Sequence, residues 1–99
     1  MEISKHSRER LLASSEAYIV LYDHFSVIYN YLIFGYPPGS FWHSVLANDF
    51  FKAMSHSHPA NSVLDLKNTT TWILNALPTE SYGDYNKVSN WCNSSKEYR

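Results

Sequence analysis

The side chains in this sequence best suited to hold a metal ion are His43, His56 and His58, with Asp49 as a nearby carboxylate. His56-x-His58 can set two imidazoles on one side of an extended loop, and His43 or Asp49 would complete a set. Structural zinc usually takes four ligands, commonly including cysteine, and catalytic zinc keeps three plus a water. None of the short zinc spacings occurs, and a single cysteine, Cys92, allows neither a thiolate cluster nor an intramolecular disulfide. The histidines read as polar loop residues beside Pro59, and no metal or other cofactor is expected.

Nucleophilic chemistry is equally thin. Ser40 and Ser44 flank His43, but residues this close on one helix do not form a nucleophile, base and orienting group. Glu80 and Asp84 bracket a turn, and two carboxylates alone specify no reaction. With 3 glycines in the chain there is no glycine-rich phosphate loop. The sequence therefore predicts no catalytic residue and a protein that is not an enzyme.

Asp49 is the sharpest local oddity. It falls on the apolar stripe Trp42, Val45, Leu46, Phe50, Ala53, Met54, and an unpaired buried carboxylate is very unfavourable. The expectation is a structural role, with Asp49 accepting backbone amides from the Pro-Pro-Gly corner or from another helix's first turn. Its neighbour Asn48 reads as a contact residue for a partner.

The elements that must position these residues follow from apolar spacing. Leu11, Ser15, Tyr18, Tyr22, Phe25, Tyr29 and Leu32 recur at helical intervals, beside a second row of Leu21, Phe25, Ile28 and Leu32. They predict one long first helix, which Gly35 stops and Pro37 forbids from continuing. The rival reading is a hairpin turning at Asp23-His24, but that turn lacks the glycine a tight hairpin prefers. A second helix starts at Ser40, with its hydroxyl as the cap, and runs through Met54. Asn61 or Ser62 caps a third, carrying Val63, Leu66, Thr70, Ile73, Leu74 and Leu77. Asp84 caps a short last helix anchored by Val88 and Trp91. The fold class expected is all-α, a small compact bundle of about four helices in one domain spanning 1–99, with 1–10 and 93–99 loose.

The segment Gly35-Tyr36-Pro37-Pro38-Gly39-Ser40-Phe41, the Val45-Leu46 step and Asn48-Asp49-Phe50 resemble a family of small, uncharacterised tailed-bacteriophage proteins. The likeness runs from about Val27 to Trp91, with Tyr82-Gly83-Asp84-Tyr85-Asn86-Lys87-Val88 at the place of the family's Trp-Gly-Ser-Pro-Glu-Lys-Val tail. The chain departs from the family at Tyr82 and Asp84-Tyr85. It departs also at His56-Ser57-His58-Pro59, where an Arg-Ala-Asp run is usual, so no role carried by that Arg or Asp transfers. The first ~25 residues, a quarter of a chain this short, match no family pattern. The resemblance implies a helical protein at work in the cytoplasm of a bacterial host, with no assigned activity.

Composition narrows the partner. A net charge of −1 argues against an electrostatic grip on nucleic acid, which needs surplus Lys and Arg, and equally against an acidic DNA mimic. Ala17 to Tyr36 is apolar enough to suggest a membrane span, but it contains Asp23, His24, Ser26 and Asn30, and a charge mid-span is costly; a core helix is expected, with no membrane. Cys92 reads as a free thiol in a reducing compartment. The aromatic share, 16% in 99 residues, exceeds what so small a bundle can hide, and Tyr and Trp are favoured at protein interfaces.

The surplus points to a partner-binding face of Tyr36, Pro37, Pro38, Phe41, Trp42 and Asn48. The function expected is stoichiometric binding of a host or phage protein, inhibiting or redirecting a host complex in defence, transcription or metabolism. The alternatives are a nucleic-acid-associated regulator and an assembly component that forms homo-oligomers through helix one.

Overall fold

The computed structural model describes residues 5–57 and 61–98. Among the described residues there are six α-helices, a 3-10 turn and no strand. They are α1 (Lys5–Ala17), α2 (Tyr22–Phe34), α3 (Ser40–Leu46), α4 (Phe50–His56), α5 (Val63–Ala76), the 3-10 turn Thr79–Ser81, and α6 (Tyr85–Tyr98). The chain is all-helical as expected, but with six helices instead of about four, and the last is 14 residues long and not short.

The two extra helices arise because both long helices expected from spacing are broken, and by the same device. After α1, the Ile19 amide donates to Glu16 O (3.0 Å) and the Val20 amide to Ser15 O (2.9 Å), with Ile19 at φ 59°. After α3, the Asn48 amide donates to Val45 O (3.1 Å) and the Asp49 amide to Ser44 O (2.9 Å), with Asn48 at φ 62°. Each is a left-handed Schellman stop, which satisfies the carbonyls that a helix end leaves without partners. The first break is also prepared by Ser14 and Ser15, whose hydroxyls donate back to Leu11 O (2.9 Å) and Leu12 O (2.7 Å) and compete with continued helix. A β-branched residue gives no sequence signal for such a stop, because its side chain disfavours positive φ.

The remaining boundaries follow local chemistry. Gly35 closes α2 at φ 70°. Ser62 accepts the Asp65 amide (3.2 Å) at the start of α5 and Asp84 accepts the Lys87 amide (2.8 Å) at the start of α6. Ser40 does not cap α3: it is already helical, and Gly39 at φ 88° stands in the cap position with no side chain to offer. The Ser40 carbonyl instead accepts the Ser44 hydroxyl (2.9 Å).

The core forms around α2. Ile28, Tyr31, Leu32 and Ile33 are buried there against Trp42 and Leu46 of α3, Trp72 and Ile73 of α5, and Val88 and Trp91 of α6. Three of the aromatics in this set with a polar tip, Tyr31, Trp72 and Trp91, find a partner for it. The Tyr31 hydroxyl donates to Ser81 O (2.7 Å), Trp91 Nε1 to Tyr31 O (3.2 Å) and Trp72 Nε1 to Ser14 Oγ (2.9 Å). Burial pushes the Tyr31 phenol far above its ordinary range.

On α5 the buried residues are Thr69, Trp72 and Ile73, while Val63 and Leu74 are exposed. Of the expected stripe Val63, Leu66, Thr70, Ile73, Leu74 and Leu77, Ile73 and Leu77 are buried and Leu66 and Thr70 half-buried. The inward face is turned toward Thr69 and Trp72, because orienting Trp72 inward removes a large apolar area from water. Among the described residues no helix is long and apolar enough to cross a membrane.

Candidate functional site

The Asn48-Asp49 pair sits at the junction of α3 and α4 and does two jobs in two residues. Asn48 takes the left-handed conformation that ends α3, which asparagine tolerates better than most residues. Asp49 then starts α4, its Oδ1 accepting the Lys52 amide (3.2 Å). It is half-buried and lies between the two helices, not on the core face of a single one. The expected stripe of Phe50, Ala53 and Met54 is redirected with it: Ala53 stays buried, whereas Phe50 and Met54 are exposed.

The start of α6 clasps this junction. The Gly83 amide donates to Leu46 O (2.7 Å) and the Tyr85 hydroxyl donates to Asp49 Oδ2 (2.6 Å). Lys52 Nζ stands 5.7 Å from the centre of the Tyr85 ring, within cation–π range. The His43 ring packs on the other aromatic neighbour side at 5.5 Å from Tyr85, with Nε2 buried and without a hydrogen-bond partner. The Tyr85 hydrogen bond, then the Lys52 amide, hold the Asp49 carboxyl below its ordinary range, and the same bond pushes the Tyr85 phenol up. Held in those states, neither group exchanges a proton near neutral pH; the pair acts as a latch.

Beside the junction, α3 and α4 form one wall and α5 the other of an open groove of about 520 Å³. Phe41, Val45, Phe50, Met54, Val63 and Leu66 supply its apolar lining, and Asn48, Asp49, Lys67 and Thr70 its polar edge. Two lining residues are strongly exposed, Val63 at 81% and Phe50 at 70%, and their chain neighbours Leu64 (64%) and Phe51 (85%) are exposed next to them without lining the groove. Phe50 and Phe51 stand edge to face, ring centres 6.0 Å apart.

The partner face expected from the sequence is divided by this geometry. Phe41 and Asn48 line the groove. Tyr36 and Pro37 are exposed and Pro38 half-buried on the turn before α3, where Tyr36 stacks on Phe34 at 5.4 Å. Trp42 belongs elsewhere: it is buried in the core, edge-on to the His24 ring at 4.8 Å, because α3 turns that side of the helix onto α2. Of the first-helix tyrosines, Tyr31 is buried, Tyr18 and Tyr29 are half-buried, and only Tyr22 is exposed, the break at Ile19 having taken it off the shared stripe.

Spacing assigned the groove residues Phe50, Met54 and Val63 to core stripes, so none of them was read as part of an open surface. The signal that could have found the rim is the adjacent pair Phe50-Phe51 just after a capping aspartate, since neighbouring residues on a helix cannot both face one core.

Of the metal candidates, His56 is exposed and His43 lies on α3, while His58 lies outside the described residues. Among the described residues no group of three His, Cys, Asp or Glu could hold an ion. Cys92 is half-buried, and burial pushes its thiol up.

No protein-family model, no curated protein and no solved structure matches the chain.

Proposed function

We propose that the chain acts by stoichiometric protein–protein association, with the α4–α5 groove and its phenylalanine rim as the contact surface. The observation that carries this reading is the exposure of the groove-lining residues Phe50, Met54 and Val63, together with their chain neighbours Phe51 and Leu64. Large exposed apolar patches on small soluble domains mark interaction sites, because leaving them in water forfeits burial that a partner would supply. The motif resemblance makes the interior of an infected bacterium the place to look, with the partner a host or phage protein. A net charge of −1 keeps nucleic acid a weaker reading.

The test is affinity capture from bacterial host lysate, with and without nuclease, comparing the wild type with Phe51→Asp. Recovery by the wild type in both arms and loss in the variant supports association through this surface. Recovery unchanged in the variant overturns the choice of surface, and loss of the wild-type signal after nuclease brings the nucleic-acid-associated regulator to the front.

A further inference from the structure

Resting on that reading, we infer that the partner seated on the α4–α5 groove is a second copy of this chain, in a two-fold symmetric dimer. Area is the first argument. Phe50, Phe51, Met54, Val63 and Leu64, between 52% and 85% exposed, leave on the order of 600 Å² of apolar surface, taking aromatic side chains at about 200 Å² each. A stable interface of ordinary size needs about 800 Å² from each partner. This apolar surface falls at the lower end of the roughly 600–1,000 Å² per partner that ordinary stable interfaces span.

Shape is the second. A two-fold interface uses the same patch on both copies, so the patch must carry both a projection and a recess. This one does. The Phe50–Phe51 pair projects from the first turn of α4, and the groove of about 520 Å³ lies directly beside it, with Phe50 in its lining. A recess of that size falls in the range that admits a drug-sized molecule, which is ample for a phenylalanine ring. Rotation about an axis along the edge of the groove seats Phe51 of each copy in the groove of the other.

Charge is the third. The charged residues in the groove lining are Asp49 and Lys67, one acid and one lysine. A patch with no net charge meets its own copy without repulsion and offers each acid an opposite sign across the axis. It does not suit an anionic membrane surface, where an apolar face comes with a lysine- and arginine-rich border. Nor does it suit a strongly charged partner, which a one-signed rim would match.

The dimer also relocates self-association. The first helical segment was the expected oligomerisation element; its Phe25 and Tyr31 are buried, whereas Ile19, Leu21 and Tyr22 are exposed, and the inferred dimer uses the surface on α4 and α5 instead.

Sedimentation equilibrium of the full chain across the micromolar range tests the inference, with Phe51→Asp and Val63→Glu measured beside the wild type and circular dichroism confirming that each variant is helical. Both positions are solvent-exposed, so neither substitution removes core packing. The dimer is supported if the wild-type mass doubles with concentration and either folded variant weakens self-association by about tenfold or more, the effect of losing a central contact. A wild type that stays monomeric overturns it, as does a dimer that both folded variants leave intact. The broader reading is tested separately. If the wild type is monomeric and Phe51→Asp still abolishes capture of a lysate protein, association through the groove stands and only the second copy is wrong. If the variant also leaves capture unchanged, both fall.

Discussion

The Tyr85 hydroxyl donates to Asp49 Oδ2 across 2.6 Å, joining the first residue of α6 to the cap residue of α4. The bond spans 36 positions of sequence, and with the Gly83 amide on Leu46 O it fixes where the α3–α4 junction sits against the rest of the bundle. One wall of the groove is therefore set by a residue that contributes nothing to the groove's own lining.

The latch has a pH signature. Asp49 is held below its ordinary value by Tyr85 first and the Lys52 amide second. A carboxyl depressed in the folded state adds stability that is complete above its unfolded pKa, about 4, and is lost as pH falls through the lower folded value. Urea denaturation followed down through that window should show a steeper acid loss in the wild type than in Tyr85→Phe. Equal slopes would mean that the bond does not hold the charge.

His24 gives a second, separate window. It is buried, with Nδ1 2.8 Å from Thr69 Oγ1, and the Thr69 hydroxyl itself donates to Asp65 O at 2.9 Å. The threonine proton is thus committed, so the imidazole is the donor and carries its hydrogen on Nδ1. Burial lowers the His24 pKa, against the opposing charges of Asp65 and Asp23. Because the unfolded chain then binds a proton more readily than the folded one, stability is complete above about pH 6.5 and declines as pH falls from there toward the folded value. Thermal melts should show this decline in the wild type and a smaller one in His24→Gln. A profile flat through this window in the wild type would show that His24 protonates without penalty.

The two helix stops differ in strain, and substitution should separate them. Ile19 holds φ 59° with its side chain 74% exposed, a conformation that costs an L-residue about 1–2 kcal/mol and returns little burial. Ile19→Gly should raise stability by about 0.5–1 kcal/mol once glycine's extra chain entropy is subtracted. Asn48→Gly should be close to neutral, and Asn48→Val should lose about 1–2 kcal/mol. Chemical denaturation midpoints read all three, and a destabilised Ile19→Gly would show that the isoleucine side chain supports the turn.

Trp42 and Phe51 are large aromatics on adjoining short helices, and the structure gives them opposite surroundings, Trp42 buried at 8% and Phe51 exposed at 85%. Trp42→Ala empties a buried site between His24 and Phe41 and should cost about 3–5 kcal/mol, enough to threaten folding of so small a domain. Phe51→Ala should leave monomer stability within about 0.5 kcal/mol while impairing association. Paired melting and binding measurements separate the two, and a Phe51 variant that unfolds would place that ring in the core.

The elements whose boundaries rest on short-range chemistry were legible in the chain. Gly35 and Pro37 end α2, Ser62 and Asp84 cap α5 and α6, and Asn48 with Asp49 announce unusual backbone chemistry where it occurs. The breaks at Ile19 and Asn48 were not read as breaks, because helical spacing continues across them and an isoleucine carries no stop signal. The groove was legible only in fragments: Phe41 and Asn48 were picked out as contact residues, while Phe50 and Val63 were assigned to the core stripes of two separate helices.

By itself, then, the sequence determined an all-helical chain with a high aromatic content, caps at fixed places, near-neutral charge and no metal-ligand spacing. Those properties depend on residues a few positions apart or on totals over the chain. Only the tertiary structure decided which aromatic rings are buried and which line a groove. Trp72 claimed the inward face of α5 from Val63 and Leu74, and two left-handed residues turned the helices that follow them. Periodicity fixes which side chains share a face, but the direction of that face is set by packing between elements far apart in sequence.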